Sequence, residues 1–293
     1  MRFVTVRDNT LNILKGEKRM RNLNKIFIVV FAVVFALFFA SASQALELPF
    51  GIDNVPNIAG VGVAMLPDYQ GSNDYMGGVA PFFKYTPEKT EYYVLLIATE
   101  LSVNVVNHPT FRFGPVVNYR FGRNDDVEDD VVKKMEEIDG AFEAGAFVGY
   151  DWKDSKNPLH RFGVNLQFLG DVSGEYNGYL ISASAKYWLP VHKMAEIGFI
   201  AGASYADNHY MKKYFGVSQK DSDATELPVF KAGSGMRDVR VGPAVVVHFS
   251  PQWHVGIGAR YQLLLEDASD SPIVKDRGDE NQWIYGLAVA YAW

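Results

Sequence analysis

The chain has 293 residues, 48% of them apolar, with 28 basic and 34 acidic side chains for a net charge of −6, and no cysteine. Without cysteine there are no disulfides, thiol nucleophiles or cysteine-based metal sites. The acidic balance argues against nucleic acid as a partner.

In chain order, the first feature is residues 26–40 (IFIVVFAVVFALFFA), an uncharged apolar run preceded by Lys18, Arg19, Arg21 and Lys25 and followed by the small-x-small site Ser43-Gln44-Ala45. Residues 1–45 read as a cleaved signal peptide, with Met20 as an alternative start of translation. The competing reading, an uncleaved anchor, wants roughly 20 spanning residues and the run is shorter. Cleavage removes seven basic side chains (Arg2, Arg7, Lys15, Lys18, Arg19, Arg21, Lys25) and two acidic ones (Asp8, Glu17), leaving a net charge of −11. Residues 46–57 are expected to form a periplasmic N-terminal segment and 58–293 one domain. No second apolar run of helical membrane length follows residue 45, so a crossing there must use strands.

From residue 58 onward, apolar residues alternate with small, polar or charged ones at a period of two, the strand signal. Segments 58–66, 76–85 and 92–105 obey it weakly. In 111–121, Phe111, Phe113, Val117 and Tyr119 oppose Arg112, Gly114, Asn118 and Arg120. In 142–152, Phe142, Val148, Tyr150 and Trp152 oppose Glu143, Gly145, Gly149 and Asp151; in 161–171, Phe162, Val164, Leu166 and Phe168 oppose Arg161, Asn165, Gln167 and Asp171. The pattern continues over 178–189 with Lys186 on the polar face, 195–206 with Glu196, 239–249 with Arg240 and His248, and 254–265 with Arg260 and Gln262. It is cleanest in 282–293, where Trp283, Tyr285, Leu287, Val289, Tyr291 and Trp293 alternate with Gly286, Ala288, Ala290 and Ala292.

No charge falls on an apolar face in these segments, as a bilayer demands: a charge facing lipid costs about 2–4 kcal/mol near the midplane. A soluble secreted barrel or sandwich also alternates, with its apolar face inward. Here the polar faces are rich in Gly, Ala and Ser, and aromatics gather at segment ends, although Trp188 falls on the wrong parity. The segments also exceed the soluble strand norm of about five or six residues. The expected fold is all-β, a transmembrane antiparallel up-and-down barrel in the bacterial outer membrane.

Loop lengths orient it. With Trp293 at the periplasmic side, connections 266–281, 207–238 and 122–140 are long and external, and 250–253 and 190–194 short and periplasmic. The alternation is consistent only if 92–106 is two short strands turning near Thr99-Glu100. That makes twelve strands, with ten as the alternative.

Arg112, Arg120, Glu143, Asp151, Arg161, Asp171, Lys186, Glu196, Arg240 and Arg260 are expected to project into the lumen. There they either pair across it as filling, the favoured reading, or line a narrow aqueous path. The acidic run Asp125, Asp126, Glu128, Asp129 and Asp130 does not have EF-hand spacing and reads as a solvated loop. His248 is the one histidine deep on a polar face, and nothing in the sequence joins it to Ser182, Ser184 or Ser204 as a nucleophile and base. His108, His160, His192, His209 and His254 lack metal-ligand spacing. No catalytic residue, metal or cofactor is expected.

Several short motifs carry a resemblance. Pro67-Asp68-Tyr69-Gln70-Gly71-Ser72, Phe113-Gly114-Pro115 with Phe121-Gly122-Arg123, Glu143-Ala144-Gly145, Tyr214-Phe215-Gly216-Val217-Ser218 and residues 266–274 (EDASDSPIV) occur in that order. Together they resemble the MipA/OmpV family of outer-membrane proteins over about residues 56–293, with Pro67, Tyr69, Gly71, Ser72, Asp267, Ser271 and Pro272 as the family-motif loop positions. The resemblance implies a barrel held in outer-membrane lipid and lipopolysaccharide. It also implies a non-enzymatic scaffold that joins a lytic transglycosylase to a bifunctional penicillin-binding protein, coupling murein cleavage to synthesis. Other members are treated as porin-like, so a narrow passive channel for small solutes is the alternative.

Overall fold

A computed structural model of the chain describes Val55 and residues 57–293. The expected signal peptide, and all of 46–57 except Val55 and Asn57, lie outside the described residues. Twelve strands form a closed antiparallel barrel in sequence order: β1 (Ile58–Pro67), β2 (Tyr75–Tyr85), β3 (Tyr93–Ile97), β4 (Glu100–Asn104), β5 (Phe111–Arg120), β6 (Ala141–Lys153), β7 (Arg161–Asp171), β8 (Tyr179–His192), β9 (Ala195–Ala206), β10 (Gly235–His248), β11 (Trp253–Leu264) and β12 (Asn281–Ala292). β12 closes on β1 from Ile58↔Ala292 to Met65↔Tyr285.

The period of two becomes the two faces of the wall. Along β12 every odd residue from Trp283 to Tyr291 is exposed and every even one buried; Leu287 is 46% exposed and Ala288 4%. The exposed apolar band is the surface that lipid covers, with rings toward its edges. Trp253 and Tyr291 sit 5.2 Å apart at the periplasmic edge, and Trp283 and Tyr285 stack 5.8 Å apart at the external one.

The weak segment 92–106 forms β3 and β4, five residues each, and the hairpin turns at Ala98-Thr99. Ala98 takes the left-handed conformation (φ 51°) and donates its N–H to the Pro81 carbonyl at 2.8 Å. β2 pairs with β3 only from Phe82 to Tyr85, so its external half, Tyr75–Ala80, has a paired strand on the β1 side alone.

Trp188 resolves its misfit in the sequence. It points into the lumen, 1% exposed, in a notch that Gly198 leaves open: a Cβ on Gly198 would meet the indole at 2.6 Å. The Arg161 guanidinium lies 4.8 Å above the ring. Parity, and not the aromatic girdle, decides where this side chain goes.

The external connections are structured. The loop 207–234 carries α1 (Asn208–Phe215), capped by the Asp207 side chain, and α2 (Gln219–Thr225), opened by a capping box between Ser218 and Asp221. The loop 265–280 carries α3 (Glu266–Asp270) and α4 (Pro272–Lys275), and the loop 121–140 a 3₁₀ turn (Val132–Lys134).

Candidate functional site

The external end of the lumen is capped by these loops. Tyr210, Met211 and Phe215 of α1, Ala268 of α3 and Val274 of α4 form one buried cluster with wall residues Leu180, Ala206 and Leu264. A second cluster joins Tyr69, Val127, Val132, Val217 and Ile273. The family-motif positions tie these loops together. Gly71 needs to be glycine twice over: its φ is +95°, and a Cβ would meet Val274 at 2.4 Å. Ser72 pairs with Gly278, and Gln282 accepts from the Gly71 N–H at 3.1 Å and donates to the Ser72 carbonyl at 2.9 Å. Ser271 donates to the Phe215 carbonyl at 2.6 Å, Pro272 starts α4, and Asp267 accepts from the Gly233 N–H at 2.6 Å. Pro67 ends β1, opposite Tyr75.

Asp129, from the acidic run, accepts from Val131 and Val132 N–H at 2.9 and 2.8 Å and pairs with Arg277 of the last loop at 2.8 Å. Burial raises its pKa, but the Arg277 and backbone hydrogen bonds outweigh that and hold the carboxyl below its usual range. Burial and the adjacent Glu143 carboxylate push the Tyr176 hydroxyl far above its ordinary value, so it stays protonated and donates to Glu143 at 2.6 Å.

Beneath the cap lies a charged belt. Glu143, 1% exposed, receives Arg120 in a two-point pair (2.7 and 3.1 Å) and Asn118 at 2.7 Å. Arg120 and Arg237 lie 5.2 and 5.6 Å from the Tyr210 ring, whose hydroxyl accepts from Gln70 at 2.8 Å. Asp238 holds Arg237 at 2.6 Å and Arg240 at 3.2 Å, and Arg240 also donates to Ser204, itself 2.9 Å from Ser182. Gln167 of β7 reaches Glu100 at the β3–β4 turn, 2.9 Å away. Between these groups and Arg260 remains a cavity of about 60 Å³, room for a few waters.

Toward the periplasm the lumen opens. Phe82, Val246, Ala288 and Ala290 face a cavity of about 570 Å³ that also reaches Val55 and the turns at Lys193 and Phe249–Pro251. Among its polar groups are Lys193, Glu196, bound to the Arg161 guanidinium, and His248, 3.5 Å from Glu196 and sharing a hydrogen between its Nδ1 and that of His254 at 2.7 Å.

The remaining charged positions lie away from the belt. Arg112 pairs with Asp151 (3.3 Å) and Glu91 (3.2 Å) at the periplasmic end. Asp151 and Lys186 pass each other over Gly163, where a Cβ would meet both below 3 Å. Asp171 folds the β7–β8 loop by accepting from the Ser173, Tyr176 and Asn177 N–H groups at 2.7–2.8 Å. Ser182 and Ser204 bond each other on neighbouring strands, and no serine is among the partners of His248 within the described residues.

Sequence reasoning missed Gln70, Tyr210, Arg237 and Asp238. Arg237 has odd parity in β10, which extrapolates to the lipid face. A bulge between Met236 and Asp238 turns it inward instead. The charge pair just before a clean alternating run was the available signal.

A family model described as MltA-interacting protein MipA matches residues 59–293. Outer membrane protein Omp26La of Vibrio anguillarum is 27% identical over 195 residues, 60% of this chain and 70% of that protein. Outer membrane protein OmpV of Vibrio cholerae serotype O1 is 30% identical over 128 residues, 44% of this chain and 48% of that protein. Among solved structures, the NanC porin aligns with TM-score 0.45 and 11% identity over 81% of this chain and all of that one. The COG4313 outer membrane channel from Pseudomonas putida F1 aligns with TM-score 0.37 and 9% identity over 86% of this chain and 98% of that one.

Proposed function

From the premise that this chain belongs to the MipA family and is an outer-membrane β-barrel, we propose that it is a closed, non-enzymatic scaffold. Its periplasmic turns engage murein enzymes, a lytic transglycosylase and a penicillin-binding protein. The observation that carries this reading is the cap: α1, α3 and α4 bury an apolar core in the external mouth, above a belt whose arginines are spent on Glu143 and Asp238. A barrel filled in this way is suited to holding a surface in place rather than passing solute. The family description, an MltA-interacting protein, supplies the class of partner.

Pull-down of the folded barrel against periplasmic murein enzymes tests the reading: specific retention is expected, and retention of none sinks it. Planar-bilayer recording tests the closure. A silent bilayer with verified insertion is expected, and discrete conductance steps would favour a channel instead.

A further inference from the structure

The periplasmic cavity has a polarity of its own. Most of its wall is apolar, from Phe82, Val246, Ala288 and Ala290 to Leu159, Met194, Phe249 and Pro251 at the turns; Glu196 and His254 stand directly across from Val246 and Ala290, and Lys193 lies in the β8–β9 turn. A largely apolar wall with a cationic side chain at its mouth suits an amphiphile, whose chain gains by leaving water and whose charged head does not. At roughly 30 Å³ per methylene, about a water's share of liquid volume, the cavity of about 570 Å³, open at its mouth, has room for one chain of about sixteen carbons.

The sign of the head follows from the rim. Residues 46–293 are net acidic, yet among the described turn residues that line this mouth Lys193 is the one charged side chain. Glu196 is already committed to Arg161, so it does not supply a counter-charge for Lys193.

We propose that this cavity binds one long-chain fatty acid, with its carboxylate at Lys193 and its chain along the wall from Val246 to Ala290. The proposal stands apart from the scaffold reading, since it rests on the cavity and its rim alone.

The test uses the full barrel in lipid nanodiscs with a palmitate carrying a photoactivatable diazirine near its methyl end, the labelled residues mapped by mass spectrometry. Label is expected on inward residues of 244–256 and 284–290, competed by palmitate and not by dodecyl maltoside, whose head is uncharged. Lys193→Glu, at an exposed turn, is expected to weaken labelling about tenfold by reversing the head-group contact. Ala290→Trp, which fills the cavity, is expected to abolish it in barrels that still migrate as folded.

Label confined to outward odd-numbered residues of β12, equal competition by the uncharged amphiphile, or unchanged labelling in Lys193→Glu overturns the proposal. Competition by lysophosphatidylglycerol but not palmitate also overturns it, assigning the mouth to a phosphate head. Pull-down with the Ala290→Trp barrel separates the two readings: murein enzymes retained while labelling is lost leaves the scaffold intact.

Discussion

At the external end, Tyr210, Met211 and Phe215 are sealed from solvent beneath folded loops, whereas at the periplasmic end Val246, Ala288 and Ala290 look onto a cavity of about 570 Å³. The wall around both is the same alternation of outward apolar and inward small or polar residues. What differs is the connections. Those of 207–234 and 265–280 are long enough to carry helices back over the mouth, and the periplasmic turns, such as Phe249–Gln252, are not. Loop length, rather than strand composition, decides whether this lumen is full or empty.

The largest way to break the contrast is to remove the cap. Replacing residues 208–234 by a short Gly-Ser turn is expected to give discrete conductance steps in planar bilayers where the parent is silent; continued silence would place the seal in the charged belt instead. Next, Glu143→Ala leaves Arg120 buried without its carboxylate and is expected to cost about 3–5 kcal/mol, read from urea unfolding of the reconstituted barrel.

A matched pair of substitutions then probes packing in the two halves. Ala206→Leu, inside the cap cluster, is expected to cost about 1–3 kcal/mol through overpacking. Ala290→Leu, beside the cavity, is expected to stay within about 0.5 kcal/mol of the parent. Equal costs would show that the periplasmic half is as tightly filled as the external one.

The smallest effect belongs to Asp129. Its carboxyl is held below its usual range, so its stabilising contribution is present above about pH 4 and is lost as pH falls through the folded value. Because Arg277 is partly exposed, that contribution is about 1 kcal/mol or less. The protection factors at Val131 and Val132 are expected to fall on acidification in the parent, and in Asp129→Asn to be lower already at neutral pH with a flatter dependence on pH.

The wall was legible in the sequence because strand parity is local: Leu287 and Ala288 show their faces without reference to any other part of the chain. The β3–β4 hairpin followed from orientation alone, since only two short strands return the N-terminus to the periplasmic side. The cap was not legible. Its contacts join Gln70 to Tyr210 and Gly71 to Gln282, 140 and 211 residues apart, and no periodicity reports such pairings. α1 left a trace in Asp207, a capping residue before an apolar-polar stretch, that a search for strands passes over. Arg237 was hidden by a bulge, which shifts parity by one residue and is marked only by the Arg237-Asp238 charge pair ahead of the alternating run.

The short hairpin leaves a seam in the wall. Along β5 it runs as far as Asn118, but along β2 it stops at Phe82, so Tyr75–Ala80 keep a paired strand on the β1 side alone. A strand edge without a partner strand is a template on which a further strand can add. The seam is therefore the one stretch of the described wall where another backbone could join without displacing a strand already there.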